Sequence, residues 1–247
     1  MTNSMYGDLA KYYELIYAWK DYKKESKIIK QVISEFKKSD GNALLEVACG
    51  TGKHLENMKK EFSCTGLDLN EGMLRIARKK FPNIRFIRGN MIDFKIDGQF
   101  DVITCLFSSI GYVRTYANLR RTLKNFYKHL KKGGAVVIEP WFTKSTYKVG
   151  MPHMHVYENK DMKIVRANVS KAKDGVSIME MHYLVAEKGK DVKHFVSVEK
   201  LGMFEVQKTL KLMRDAGFKA KFLKRKSWDR GRGLFVGVKE PKRSNTS

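Results

Sequence analysis

One segment constrains the fold of this chain more than any other: an apolar run that leads into a glycine turn. Residues 44–52 are Leu-Leu-Glu-Val-Ala-Cys-Gly-Thr-Gly, and a helical pattern begins directly after them. Glycines at such a turn let the backbone approach a bound ligand, because no Cβ stands in the way. A dinucleotide-binding fold would have a third glycine at position 55, which is Leu here, so a nicotinamide or flavin cofactor is disfavoured. By themselves, the two glycines are also compatible with a plain tight turn.

Around this turn, short apolar runs alternate with amphipathic stretches, which is typical of βα units in a doubly wound, mostly parallel sheet. The predicted strands are Ala43–Val47, Cys64–Leu67, Ile84–Ile87, Phe100–Phe107, Ala135–Ile138, Ala220–Leu223 and Leu234–Val238. The predicted helices are Asp8–Tyr17, Asp21–Phe36 with Asp21 as N-cap, Lys53–Glu61, Glu71–Lys80, Tyr116–Leu130 and Val206–Ala216. We expect Gly133 and Gly134 to end the helix Tyr116–Leu130.

Residues 141–204 interrupt this alternation with strand-like patterns. They predict antiparallel strands at Lys163–Ser170, Ser177–Val185 and Val192–Val198, with a turn at residues 173–175. We interpret the segment as an antiparallel β insertion that forms a lid over the sheet. The predicted organisation is N-terminal helices over residues 1–40, an α/β domain over 41–140 and 205–240, the lid over 141–204, and a tail over 241–247.

The chain is strongly basic, with 49 Lys and Arg against 26 Asp and Glu in 247 residues and a formal net charge of +23. RNA, DNA, nucleotide substrates and acidic membrane surfaces are therefore allowed partners. The basic residues are spread along the chain, however, and the sequence has no basic run interleaved with aromatics and no separate nucleic-acid module. A lysine-rich solvated surface explains the charge more simply, so nucleic acid is not favoured.

Cysteine usage and hydropathy indicate the compartment. Cys49, Cys64 and Cys105 are odd in number and lie in apolar runs, which predicts buried thiols in a reducing environment. Residues 1–10 do not have a basic flank followed by an apolar stretch, and no apolar run reaches the roughly 20 residues that span a bilayer. We expect a soluble cytoplasmic protein without a membrane partner, and a homodimer is compatible with the sequence.

Polar side chains lie at or near the ends of three successive predicted strands. Glu46 is in the first, Asp68 ends the second, and Asn90 follows the third. A carboxylate at a strand end can accept both hydroxyls of a ribose, and a side-chain amide can reach an adenine edge. Any one of these residues could be a helix cap, but together they predict a nucleoside site at this edge of the sheet.

These features resemble the class I S-adenosylmethionine-dependent methyltransferases over about residues 42–138, in Glu46, Gly50, Gly52, Asp68, Asn90 and the run Asp-Val-Ile-Thr at 101–104. The resemblance implies a seven-stranded Rossmann-like sheet and S-adenosylmethionine as the cofactor. Ala48 and Asn90 depart from the pattern, since many members have glycine and aspartate there. The implied cofactor-binding residues are Tyr13, Trp19, Tyr22, Glu46, Ala48, Gly50, Gly52, His54, Asp68, Leu69, Met73, Asn90, Met91, Ile92, Leu106 and Ser109.

A narrower resemblance covers almost the whole chain. The strings at 47–52, 105–112, 139–141, 181–186 and 231–235 are similar to N,N-dimethyltransferases that act on nucleotide-linked aminodeoxysugars, as in the formation of desosamine and mycaminose on a TDP carrier. This resemblance implies an N-methyltransferase in which Tyr6 and Tyr112 lie near the amino group as catalytic residues and Arg232 faces the diphosphate. The candidate substrate-binding residues are Trp141, His182, Arg230 and Arg232.

Methyl transfer to an amine requires alignment and loss of a proton rather than a covalent nucleophile. The candidates for a base or an orienting group are Tyr6, Tyr112, Glu139 and His182. Each has another interpretation: the tyrosines as rim residues, Glu139 as an acceptor for backbone amides, and His182 as a packed or solvent-facing residue.

Several binding residues also have a second interpretation. Tyr13, Trp19 and Tyr22 either cover the cofactor or pack the N-terminal helices. His54 either points toward the methionine carboxylate of the cofactor or lies at the surface. Arg230 and Arg232 either contact a diphosphate in bidentate fashion or belong to a solvated loop.

Two other functions stay open at this point. A methyltransferase for RNA or protein would use the basic surface, and a non-catalytic nucleotide-binding protein would bind the cofactor without turnover.

Overall fold

The computed structural model describes residues 10–224 and 232–240, which form two β-sheets and the helices that flank them. The helices are α1 (Tyr13–Ile16), α2 (Tyr22–Phe36), α3 (Lys53–Met58), α4 (Glu71–Lys80), α5 (Tyr116–His129) and α6 (Val206–Asp215), with 3-10 helices at Ala10–Tyr12 and Ser109–Val113. The strands are β1 (Ala43–Val47), β2 (Ser63–Asp68), β3 (Arg85–Arg88), β4 (Phe100–Cys105), β5 (Leu130–Ile138), β6 (Pro152–Glu158), β7 (Met162–Lys173), β8 (Val176–Glu187), β9 (Lys193–Gly202), β10 (Lys219–Leu223) and β11 (Leu234–Val238).

The larger sheet has seven strands in the order β10-β11-β5-β4-β1-β2-β3. Strands β1 to β5 pair in parallel, whereas β11 is antiparallel to both β5 and β10. This arrangement confirms the predicted doubly wound, mostly parallel sheet. Chain order reverses between β1 and β4, and open α/β sheets bind ligands at the carboxyl ends of the strands beside such a reversal.

Helices cover both faces of this sheet. On one face, Leu119 and Phe126 of α5 belong to a buried apolar cluster, and on the other, Ile29 and Ile33 of α2 belong to a second. All six residues of β4 are buried between these layers, as expected for a central parallel strand. The sheet is therefore a rigid support for the loops at its carboxyl edge.

The smaller sheet is antiparallel, in the order β6-β7-β8-β9, which confirms the predicted β insertion. Met181 and Tyr183 on its inner face pack with Tyr12, Ile16 and Tyr17 of the N-terminal segment. The turn between β7 and β8 falls at 174–175, as predicted, where both residues have positive φ. Strand β6 was not predicted, because its seven residues are mostly exposed and lack the apolar stripe of a core strand.

The end of α5 contradicts the sequence prediction. The helix ends at His129 and the chain enters β5 at once, so Gly133 lies inside the strand. At φ +78°, its N–H donates to the carbonyl of Lys239, while its own carbonyl accepts from the N–H groups of Lys38 and Ser39 at 2.8 and 3.1 Å. The glycine therefore joins three segments at an irregular point of β5 rather than ending a helix.

The N-terminal helices agree with the prediction in part. α2 begins after Asp21, whose side chain accepts from the Lys24 N–H at 2.8 Å, as predicted for an N-cap. The predicted helix over residues 8–17 is, in its described part, a 3-10 turn followed by the single turn of α1. The predicted tail, 241–247, lies outside the described residues.

Cysteine burial and helix hydropathy bear on the compartment. Cys49 and Cys105 are buried free thiols, and Cys64 is half-buried. In the two ranges that the structure describes, none of the helices is long and apolar enough to cross a membrane.

We expect Gly133→Ala to destabilise the fold well beyond the cost of a left-handed alanine. A Cβ there would lie 2.8 Å from the backbone nitrogen of Ser39, whereas a Cβ on Gly98, also at positive φ, would meet nothing within 4 Å. Urea unfolding should give about 1 kcal/mol of destabilisation for Gly98→Ala and at least about 2 kcal/mol more for Gly133→Ala. Equal losses for the two variants would contradict the packing role of Gly133.

Candidate active site

A cavity of about 750 Å³ lies between the carboxyl edge of the larger sheet and the inner face of the smaller one. Its volume falls in the range of small-molecule sites. The predicted site residues in its wall are Tyr13, Trp19, Ala48, Gly50, Asp68, Leu69, Met73, Asn90, Met91, Ile92, Ser109, Tyr112, Trp141 and Arg232. The structure thus brings most of the predicted cofactor residues and two of the predicted substrate residues to one space.

The glycine turn forms the floor of this cavity. A Cβ added to Gly50 would meet no protein atom within 4 Å, so the backbone there faces open space. Ala48 has φ +57°, a left-handed conformation that explains why glycine suits this position. Gly52 is not in the wall, and a Cβ there would approach the Phe81 ring at 3.2 Å. Gly50 therefore leaves open space beside the backbone of the turn, whereas Gly52 lies against the Phe81 and Phe86 rings.

Asp68 ties the turn to the next strand. Its carboxylate accepts from the N–H groups of Gly50 and Asn70, both at 2.8 Å, and burial raises its pKa while these bonds lower it. Each carboxylate oxygen keeps a further lone pair that can accept a ligand hydroxyl. Asn90 is held in a similar way, since its side-chain oxygen accepts from the Ile92 N–H at 3.0 Å. Both side chains are thus fixed at the cavity wall with hydrogen-bonding capacity left over.

Three predicted residues, Tyr22, Glu46 and His54, form a buried cluster outside this wall. The two nitrogens of His54 lie 2.9 Å from Glu25 and 3.2 Å from Glu46, and Tyr22 packs edge-on against its ring. His54 is buried, which contradicts the surface alternative. Burial lowers its pKa, but the two carboxylates outweigh this and raise it to about 9, so the imidazole is a cation at neutral pH.

The cluster continues through Glu25 to Lys20, whose side chain is 1% exposed. The ammonium of Lys20 pairs with Glu25 and lies 4.4 Å from the centre of the Phe107 ring. Phe107 lies in the cavity wall, where its ring meets that of Tyr17 edge to face. The row of charges from Lys20 to Glu46 therefore connects the N-terminal helices to the strand that leads into the glycine turn. The cluster positions the site without lining it.

A second buried carboxylate, Glu139, supports the opposite part of the wall. It is 0% exposed, accepts from the Phe107 N–H at 2.7 Å, and lies 3.3 Å from the guanidinium of Arg232. Burial raises its pKa, whereas Arg232 lowers it. Phe107 and Ser108 have left-handed backbones, and the Ser108 hydroxyl donates to the Pro140 carbonyl at 2.8 Å. The alternative in which Glu139 binds backbone amides agrees with this geometry.

The remaining predicted residues lie elsewhere. Leu106 is buried in an apolar cluster under the sheet rather than in the wall. His182 lies half-exposed on the outer face of β8, with its ring stacked on His194, which corrects its place among the substrate-binding candidates and agrees with the solvent-facing alternative. Successive strand residues point to opposite faces, so His182 points away from the cavity that Met181 lines. Tyr6 and Arg230 lie outside the described residues.

Sequence analysis missed two charged residues on the inner face of the smaller sheet. Arg166 of β7 donates to the Tyr17 hydroxyl at 3.1 Å, and Glu199 of β9 accepts from the Ser197 hydroxyl at 2.7 Å. Both line the cavity, and Glu199 is 2% exposed. Alternation did not reveal them, because each is opposite in parity to the valines of its strand, and the predicted strand that would hold Glu199 ended at Val198.

Comparison with known proteins agrees with this geometry. A model of the methyltransferase domain matches residues 44–134. The chain is 36% identical to the dTDP-3-amino-3,4,6-trideoxy-alpha-D-glucopyranose N,N-dimethyltransferase of Streptomyces venezuelae, over 94% of this chain and 98% of that protein. It is 34% identical to the dTDP-4-amino-2,3,4,6-tetradeoxy-D-glucose N,N-dimethyltransferase of Saccharopolyspora spinosa, over 96% of each. This chain belongs to the sugar N,N-dimethyltransferase family.

Solved structures of related proteins have the same fold as this chain. The crystal structure of DesVI from Streptomyces venezuelae matches with a TM-score of 0.86 at 36% identity, over 93% of this chain and 97% of that one. S-adenosylmethionine-bound CalS10, an amino pentose methyltransferase from Micromonospora echinaspora, matches with a TM-score of 0.80 at 30% identity, over 89% and 92% of the two chains. Membership in this family confirms the predicted enzyme class and S-adenosylmethionine as the cofactor.

The charged cluster beneath the site predicts a pH-dependent stability. The pKa of His54 is about 9 in the folded protein against an ordinary value of 6.5, so its contribution to folding stability is full below pH 6.5 and is lost as the pH rises through 9. Its upper limit is roughly 3 kcal/mol. Urea unfolding between pH 6 and 10 should show the gap between wild type and His54→Gln closing as the pH rises.

His129 provides the matched control for this measurement. It is also buried, but its ring nitrogens bond to backbone groups of Asn125 and Ile96 rather than to carboxylates. Because no carboxylate contacts this ring, the gap between wild type and His129→Gln should not reproduce the closing expected for His54→Gln. A constant gap for His54→Gln would show that its imidazole is not charged.

Proposed function

We propose that this protein transfers methyl groups from S-adenosylmethionine to the amino group of a nucleotide-linked aminodeoxysugar, and that it does so twice. The observation that carries the proposal is one continuous cavity with two chemically different ends. One end has the glycine turn and Asp68, which suit a nucleoside. The other has arginines, aromatic rings and a buried carboxylate from the smaller sheet, which suit a sugar with a charged carrier. The two relatives described above act on dTDP-linked amino sugars, which supports this assignment.

The residues at the first end fit the cofactor. We assign Asp68 to the ribose hydroxyls, Asn90 to the adenine edge, and the open backbone of Gly50 to the close approach of the ligand. Tyr13 and Trp19 would cover the bound molecule from the N-terminal side. When bound, S-adenosylmethionine supplies an electrophilic methyl group on a sulfonium.

The reaction needs a neutral, aligned amine. The nitrogen lone pair forms the C–N bond as the electron pair of the C–S bond returns to sulfur, and a proton then leaves nitrogen. The protein's contribution is to hold the two reacting atoms in line and to exclude water. We assign Tyr112, in the cavity wall on the 3-10 helix Ser109–Val113, to orient the amine or relay its proton. The same role for Tyr6 stays a prediction.

Arg232 suits the diphosphate of the carrier. Its guanidinium lies 5.6 and 5.1 Å from the rings of Trp141 and Phe142, and Glu139 fixes its orientation from behind. A guanidinium presents five N–H donors in a planar fork that matches the oxygens of a phosphate. This is one positive charge that the proposed substrate would use, whereas the remainder of the +23 charge has no assigned role.

We expect Asp68→Asn to weaken S-adenosylmethionine binding at least about tenfold, because it removes an anionic acceptor for hydroxyls. Isothermal titration calorimetry with the cofactor measures this directly. Asp215→Asn is the control, since Asp215 pairs with Lys211 on the surface of α6 and should leave the affinity unchanged. Equal affinities for wild type and Asp68→Asn would remove Asp68 from the binding site.

The decisive test of function is a turnover assay followed by mass spectrometry. We expect TDP-linked 3-amino or 4-amino deoxysugars to gain two methyl groups stepwise, with S-adenosylhomocysteine released. Bulk tRNA in parallel reactions should gain none. Methylation of RNA alone would show that the methyl acceptor is a polyanion rather than a nucleotide-linked sugar. Cofactor binding without transfer to either acceptor would point to a non-catalytic protein. Dimerisation and a cytoplasmic site of action stay predictions, which light scattering and cell fractionation test.

A further inference from the structure

A buried carboxylate stands in the lid wall of the cavity. Glu199 is 2% exposed and accepts from the Ser197 hydroxyl at 2.7 Å. Within residues 10–224 and 232–240, no Lys, Arg or His nitrogen lies within 4.0 Å of its carboxylate. A carboxyl group buried with a hydroxyl as its partner is costly to retain unless a further group offsets the lost hydration.

Arg166, on the inner face of the smaller sheet, does not fill this role. It is opposite Tyr183, which lies four residues along β8 from Met179, the residue opposite Glu199. One nitrogen of the Arg166 guanidinium donates to the Tyr17 hydroxyl at 3.1 Å. Burial raises the pKa of that hydroxyl, Arg166 lowers it, and the Glu199 charge raises it again, so both charges reach the same tyrosine without pairing with each other.

The position of Glu199 fits the acceptor rather than the cofactor. Among the described residues that line the cavity, Asp68 and Glu199 are the two carboxylates, one on each sheet. Two residues further along β9, Leu201 packs against Gly111, where an added Cβ would lie 2.9 Å from that of Leu201. Gly111 precedes Tyr112 on the 3-10 helix, so this end of β9 lies beside the wall residue that we assign to the amine.

We propose that Glu199 binds the amino group of the methyl acceptor and thereby selects amines over hydroxyl-bearing sugars. This inference rests on the proposed function and extends it. The carboxylate accepts an N–H hydrogen bond, which turns the nitrogen lone pair away from Glu199 and toward the methyl donor. As the C–N bond forms, positive charge appears on nitrogen, and a nearby carboxylate stabilises that charge. After the first transfer the secondary amine still has an N–H, so the same contact serves the second.

The test compares binding of two ligands that differ in one group. A TDP-linked amino sugar and its analogue with a hydroxyl in place of the amine are titrated calorimetrically in the presence of S-adenosylhomocysteine, which prevents turnover. Wild type should bind the amine about 10- to 100-fold more tightly, as for a charge-assisted hydrogen bond. Glu199→Gln should bind the two ligands about equally, and Glu199→Asp should recover part of the preference. In turnover, Glu199→Gln should lose kcat as well as affinity, since the charge on nitrogen is largest in the transition state.

The controls separate this role from a structural one. Glu180→Gln removes a carboxylate from the outer face of β8, where Glu180 pairs with His182, and should keep the full amine preference. Glu199→Gln should keep the S-adenosylmethionine affinity and the unfolding temperature of wild type within a few degrees. If wild type dimethylates the amino sugar while Glu199→Gln keeps the amine preference and kcat, this inference is wrong and the proposed function stands. If wild type methylates no amino sugar, the proposed function fails and the inference fails with it.

Discussion

The hydrogen bond between the Phe107 N–H and the buried carboxylate of Glu139 is the contact on which the cavity wall depends. It joins the loop after β4 to the end of β5, and through Arg232 the same carboxylate reaches the start of β11. Two consecutive residues of that loop have left-handed backbones, a conformation that persists only where its surroundings enforce it. A buried charge is an expensive way to fix a loop, but its hydrogen bonds are directional, so it fixes the Phe107 ring and the Arg232 guanidinium together.

The same principle acts on the other side of the cavity. Glu46 at the end of β1 contacts His54, which contacts Glu25 of α2, which pairs with Lys20. Charges alternate along this row, so each is compensated although all are largely buried. The row ties the N-terminal helices to the glycine turn, and the Lys20 ammonium lies 4.4 Å from the centre of the Phe107 ring, while Glu139 accepts from the backbone N–H of the same residue. Both networks therefore converge on one aromatic ring in the wall, and movement of that ring would disturb both at once.

The features best predicted from the sequence are those that depend on local residue patterns together with the topology of a parallel sheet. Alternating βα units predicted the seven-stranded sheet, and the end of a parallel strand predicted the place of Asp68, because parallel strands deliver their carboxyl ends to one edge. Contacts between segments distant in the chain were not predictable. Gly133 was read as a helix end because its partners, at 38–39 and 239, are remote in sequence. His54 was placed near the ligand or at the surface because its two carboxylate neighbours come from α2 and β1.

The smaller sheet shows why its face assignments were harder. On β9, Phe195, Ser197 and Glu199 share the inner face with Tyr183, Met181 and Met179 of β8, whereas Val196 and Val198 share the outer face with His182 and Glu180. The pattern is thus partly inverted, with polar groups inside and valines about 40% exposed outside. A strand packed only against a core would bury the valines. An inner face that carries a serine and a glutamate instead has been shaped by something other than apolar packing, and a polar ligand in the cavity is the partner that such a face fits.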